Sequence, residues 1–283
     1  MNPMSGLWSV TRATNGAVAS RGITAVSLIV FSLAIFLSQY LVLFEFYREA
    51  NVIREMSVAT TTLWGLIIVI VMSGALVTHE LEDRTAILLL AKPLRRSHFL
   101  LGKFLGVMLA VARGVALLSL VFLFTLWVHG GARELEGFDP FESPVGAWTF
   151  LWGDVLWPKV AFVLQGALLT LLQVGILAAI SVSLAAFLPV IVSVSATALF
   201  YIVGSVVRYF VANAEAGGAL VGGAVTGLSY LVPNFGYLNP AVQLSEGKIL
   251  SAGYLLWVTV YSTMYVSLVL RIASILFERR DIR

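Results

Sequence analysis

The chain has 283 residues, 59% of them hydrophobic and 12% charged, with a mean hydropathy of +0.95. Soluble domains carry about 25% charged residues, so a soluble globular fold is excluded and an all-α integral membrane protein is implied; the alternating pattern of a membrane barrel is absent. The net charge of +3 gives no indication of nucleic-acid binding, and the absence of cysteine excludes disulfides, thiolate metal sites and thiol nucleophiles.

Residues 1–21 mix Leu7, Trp8 and Val10 with Arg12 and Arg21. They read either as an interfacial helix on the inner leaflet, with Trp8 at headgroup level, or as a loosely ordered tail. The Ala17-Val18-Ala19 triplet precedes the apolar run instead of following it, which is the wrong order for a cleavable signal peptide. The first predicted span is about 22–44, and a charged connection follows. The second is about 59–77, and a charged insert occupies 78–98. The third is about 99–128, followed by an acidic connection rich in tryptophan, with Pro158 suited to the first turn of the next helix. The fourth, fifth and sixth are about 160–187, 190–211 and 253–277, with Pro189 breaking the fourth from the fifth. No segment outside the spans is long enough to fold as an ATPase, so residues 1–283 read as a single transmembrane domain.

Counting basic residues orients these spans. With the N-terminus inside, the inner segments hold ten Lys/Arg and five acids, and the outer segments hold five and ten. Cytoplasmic loops carry the basic excess, so both termini and the insert are expected in the cytoplasm and the chain in the cell (inner) membrane. The stretch 212–233 has an apolar part too short to cross, bounded by Pro233. It reads as a packed re-entrant element, with Gly218/Gly222 and Gly223/Gly227 at small-xxx-small spacing, or as a glycine-rich loop.

Catalytic chemistry is sparsely represented. There is no G-x-x-x-x-G-K-[ST] phosphate loop, His79-Glu80 does not continue into H-E-x-x-H, and His79, His98 and His129 are scattered at span ends. No cofactor, metal or catalytic residue is therefore expected of this chain. No Asp or Glu falls within an assigned span, which argues against ion-coupled transport. Lys103, Arg208 and Arg271 sit near span ends and are expected to snorkel. Arg113 falls near mid-membrane, where it either lines a cavity, meets an anionic headgroup, or pairs with a backbone carbonyl. Gln165 and Gln173 share roughly one face of the fourth span; they are candidates, with Arg113, for a translocation path, although inter-helix hydrogen bonding suits the two glutamines better.

The insert contains Glu80, Glu82, Asp83 and Arg84, then an apolar run from Thr85 to Ala91, then Lys92, Pro93, Arg95 and Arg96. Acids at the start and bases after the end suit a helix dipole. Ser97 is a plausible N-cap for the third span. The result is a short amphipathic helix at the cytoplasmic face, its apolar side lying on the membrane or entering a partner's groove.

The run His79-Glu-Leu-Glu-Asp-Arg-Thr85, then Leu-Leu-Leu-Ala-Lys92-Pro93-Leu-Arg95-Arg96 and Leu101-Gly-Lys103-Phe-Leu-Gly106, resembles the permease subunit of type-2 ABC transporters. It is most similar to the branch serving nitrous-oxide-reductase maturation and gliding-associated systems. Arg84 stands where that family usually has glycine. The motif covers under a tenth of the chain; the six-span layout and the stretch 231–240 extend the likeness more weakly. The resemblance implies a coupling helix built from Glu80, Glu82, Asp83, Arg84, Thr85, Lys92, Pro93, Arg95 and Arg96. It also implies two partner ABC ATPase subunits carrying ATP and Mg, a second permease copy or paralogue, and a re-entrant element between spans five and six. The alternative is a membrane scaffold or assembly factor whose partner is not an ATPase.

Overall fold

The computed structural model describes residues 3–41, 49–73, 96–134, 157–212, 227, 232–244 and 249–278. Residues 74–95, which include most of the insert with Glu80, Glu82, Asp83, Arg84, Thr85, Lys92, Pro93 and Arg95, lie outside them, as does most of the proposed re-entrant stretch. Among the described residues every regular element is helical. The helices are α1 (Pro3–Ala19), α2 (Gly22–Leu41), α3 (Glu49–Ile68), α4 (Arg96–Glu134), α5 (Trp157–Ala185), α6 (Val190–Ala212), the short α7 (Pro240–Gln243) and α8 (Ala252–Glu278). A π turn, Val69–Ser73, ends α3, and a 3-10 turn, Phe235–Tyr237, precedes α7.

Among the described residues five helices are long and apolar enough to cross a bilayer, and α1 and α2, bent by 60°, qualify together as a sixth, broken span. The protein is thus an all-α, multi-pass membrane protein. The helices follow the predicted spans with differences at their ends. α3 begins at Glu49, so the charged residues read as a connection form its first turns. α4 starts at Arg96, which puts Ser97 inside the helix instead of capping it. At 39 residues α4 is about 58 Å long, nearly twice the apolar thickness of a bilayer, so it tilts or projects beyond the lipid. Pro158 falls in the first turn of α5, where its missing N–H is harmless, and the α5–α6 break lies at Leu188 and Pro189.

Helix α5 is the centre of the bundle. Two thirds of its spanning window (67%) is buried inside the protein, against 22% for α6 and α8, whose remaining apolar surface faces lipid. Small and hydroxyl residues permit the close approaches: Thr62 on α3 and Thr170 on α5 share a buried hydrogen bond of 3.1 Å. Gly65 faces Val174, where a Cβ would sit 3.0 Å from the valine methyl. Such contacts hold spans together where lipid removes the hydrophobic drive between helices.

Residues Pro3–Ala19 form a helix and not a loose tail. α1 packs along α4, through Val10 over Gly102 and Thr14 over Gly106. Thr24 Oγ1 donates to the Val18 carbonyl at 2.8 Å across the turn into α2. Trp8 stays 62% exposed.

After α6 the chain from residue 232 to 244 is packed against the bundle. The Pro233 carbonyl and the Phe235 ring close on Gly204 of α6, and Phe235 is fully buried. Asn234 and Asn239 cap the two short helices by accepting from Gly236 N–H and Ala241 N–H. Asn234 N–H donates to Tyr261 Oη at 3.1 Å, and Tyr254 Oη to the Tyr237 carbonyl at 2.7 Å, tying this segment to α8.

Candidate functional site

The sequence places chemistry in the insert and at three polar residues of the spans. The structure locates the helices on which the insert hangs. It leaves α3 through the π turn Val69–Ser73, which packs against α5, and returns at Arg96 of α4. π turns interrupt helical regularity and recur at functional positions. On the return side the first three turns of α4 are joined to α1: a Cβ at Gly102 would lie 2.9 Å from Val10, and one at Gly106 would lie 2.5 Å from Thr14 Cβ and 2.8 Å from the Thr11 carbonyl. The Gly102-x-x-x-Gly106 pair has small-xxx-small spacing, and the packing shows it to be the face that receives α1. α1 and the start of α4 are therefore packed closely together, next to the point where the insert re-enters.

Lys103 does not snorkel. Its side chain is 2% exposed, and its Nζ sits 5.6 Å from the centroid of the Phe99 ring. Phe99 stacks on Phe277 of α8 at 6.4 Å, and Phe187 meets the other edge of Phe277 at 6.3 Å. This end of the bundle is closed by an apolar cluster that also takes in Val10, Leu100, Val182 and Leu270.

The three path candidates do not converge. Arg113 Nη2 donates to the Asn15 side-chain carbonyl on α1, so its partner is a side chain, which none of the three expected arrangements supplies. Gln165 grips the strand-like approach to α8: its Nε2 donates to the Leu250 carbonyl at 3.1 Å, and its Oε1 accepts from Leu250 N–H at 2.8 Å. This is a hydrogen-bonding role, as the helix-face reading favoured. Gln173 is 1% exposed, and neither its Nε2 nor its Oε1 has a partner among the described residues. None of the three lines the cavity that opens between α4, α5 and α8.

The two glutamines should therefore respond oppositely to leucine. Gln165→Leu leaves the Leu250 N–H and C=O unpaired and should cost about 1–3 kcal/mol, whereas Gln173→Leu removes two unsatisfied buried groups and should be neutral or stabilising. Thermal unfolding of the two variants in the same detergent checks the contrast; equal destabilisation would contradict it.

Among the described residues no group of three or more His, Asp or Glu is placed to hold a metal ion. The geometry offers coupling between helices and burial of polar groups, with no nucleophile–base arrangement among the residues discussed. No curated protein matches the chain. Residues 63–283, more than three quarters of the sequence, match the family described as "Protein of unknown function (DUF2705)", and the chain belongs to that family.

Proposed function

We propose that this protein is the membrane-spanning permease subunit of a type-2 ATP-binding-cassette transporter, driven by two separate ATPase subunits and working beside a second permease copy or paralogue. The observation that carries the reading is the insert itself. A charged and amphipathic stretch with Glu80, Glu82, Asp83, Arg84 and Thr85 before an apolar run, and Lys92, Pro93, Arg95 and Arg96 after it, joins two spans of an otherwise apolar chain. The packing of α1 on α4 supports it, since a push delivered at residues 92–96 would be carried by two helices instead of one. ATP and Mg belong to the partners in this reading, and the basic excess puts the insert and both termini in the cytoplasm.

Charge reversal at Arg95 and Arg96 to Glu should abolish co-purification with a co-expressed partner ABC ATPase, and leave membrane insertion and helical content intact. Undiminished co-purification of the doubly reversed chain would remove the docking assignment and favour a scaffold whose partner is not an ATPase.

A further inference from the structure

A cavity of about 770 Å³ lies between α4, α5 and α8, at the end of the bundle where α4 begins and α8 finishes. Its size is that of a small-molecule site. The apolar wall is formed by Leu101, Leu105, Met108, Leu172 and Ile275, while Gly175 on α5 keeps the floor low. Leu105 and Ile275 are exposed at the rim; Leu270 and Ser262 are buried at the base. The cavity therefore opens sideways, toward the lipid that surrounds the bundle.

The polar lining is ordered. Thr263, Ser267 and Arg271 recur every four residues along one face of α8, spanning about 12 Å at the helical rise. The only titratable lining residues, His98 and Arg271, are both basic, and no carboxylate lines the cavity among the described residues. Two hydroxyls are already committed as donors to their own helix, Thr263 Oγ1 to the Thr259 carbonyl at 2.8 Å and Ser274 Oγ to the Leu270 carbonyl at 2.7 Å. Ser262 is different. It is 2% exposed, lines the cavity, and its Oγ has no hydrogen-bond partner among the described residues.

A purely lipid-facing groove needs no arginine, no hydroxyl row and no unpaired buried donor, because each costs free energy in hydrocarbon. We propose that this cavity binds an acidic glycerophospholipid, entering from the side. Arg271, with His98 across the cavity, receives the phosphate as a charge-assisted hydrogen-bonding partner. Ser267 lies where the glycerol ester oxygens follow, and the acyl chains run along the Leu105, Met108 and Ile275 wall. The assignment holds whether or not the chain couples to an ATPase.

The test uses the full-length protein in neutral detergent, titrated with dioleoyl phosphatidylglycerol, dioleoyl phosphatidylcholine or inorganic phosphate and read by native mass spectrometry. Phosphatidylglycerol should bind at least about tenfold more tightly than phosphatidylcholine, and inorganic phosphate should not displace it. Arg271→Gln should reduce phosphatidylglycerol binding to the phosphatidylcholine level, and Arg271→Lys should retain most of the preference. Leu105→Trp, at the exposed rim, should weaken both lipids. Arg12→Gln, an exposed charge on α1 outside the cavity, should change nothing. Equal binding of the two lipids by the unaltered chain overturns the proposal, and so does displacement by inorganic phosphate, which would make the site one for a free anion. An Arg12→Gln effect as large as that of Arg271→Gln would reduce the preference to net charge and overturn it too. If Arg271→Gln does not fold, Leu105→Trp decides: unchanged phosphatidylglycerol binding there places the lipid elsewhere.

Discussion

Gly114→Ala should destabilise this protein more than any other single added methyl group discussed here. A Cβ at Gly114 would fall within the van der Waals envelope of the Trp64 ring, against Cη2, Cζ3 and Cζ2. That ring cannot simply swing aside. It is 1% exposed in the main core cluster, and its Nε1 is tethered to Ser27 Oγ of α2 at 3.1 Å. Displacing it breaks the hydrogen bond and disturbs α2, α3 and α4 together. Overpacking of this kind costs about 1–3 kcal/mol, and more where the neighbour has no room to yield. Trp64→Ala alone should cost about 3–5 kcal/mol through the space it leaves. With the ring gone the extra methyl has room, so Gly114→Ala added to Trp64→Ala should be neutral or mildly stabilising. Thermal unfolding of the four proteins of this cycle measures the coupling; simple additivity would mean that the ring and the glycine do not meet.

The second large effect concerns α1. Gly106→Leu should separate α1 from α4, since even the first carbon of the new side chain would approach Thr14 Cβ to 2.5 Å and the Thr11 backbone carbonyl to 2.8 Å. A backbone atom cannot yield by changing rotamer, so the helices must part. The chain has no cysteine of its own, which makes a cysteine placed at Val18 a clean reporter. Val18 is fully buried in α1. In the otherwise unaltered protein Val18→Cys should resist a membrane-permeable maleimide; with Gly106→Leu added it should react at least about tenfold faster, as local opening of a few kcal/mol less would produce. An unchanged rate would show that α1 stays docked by other contacts. If the permease reading is right, the same variant should retain the ATPase partner but lose coupling. In that reading the insert would hold the partner and the α1–α4 pair would stiffen the receiving helix.

The class of the protein was legible from composition, because in a bilayer only self-satisfied helices are available and each needs about 20 apolar residues. The predicted spans accordingly fall on observed helices, and Pro158 and Pro189 mark boundaries because proline lacks the N–H that a helix interior requires. The start of α3 was less legible. Glu49, Arg54 and Glu55 look like loop by polarity, yet a helix can extend beyond the lipid into the headgroup region, where charge is no obstacle. The insert stood out because charge is rare elsewhere in the chain, so residues 78–98 could be singled out as the candidate coupling segment from sequence alone.

What the sequence left open is which faces meet. Composition and span length determine how deep a residue lies, but α4 is apolar on all sides, so its pattern does not report its rotation about its own axis. Only the packed bundle brings Arg113 to Asn15, Gln165 to Leu250 and Gly114 under Trp64. Each pair is far apart in sequence, and the approach of Trp64 depends on the missing side chain of Gly114. Gln173 shows the same limit from the other side, because a polar residue on an inward face carries no sign of whether a partner awaits it. The sequence by itself determined a multi-pass helical membrane protein with one charged insert. The tertiary structure decided that the first helix packs on the span into which that insert leads, and that Arg271 lines a cavity shared with α4 and α5, because helix rotation and close approach are properties of the packed bundle and not of any one span.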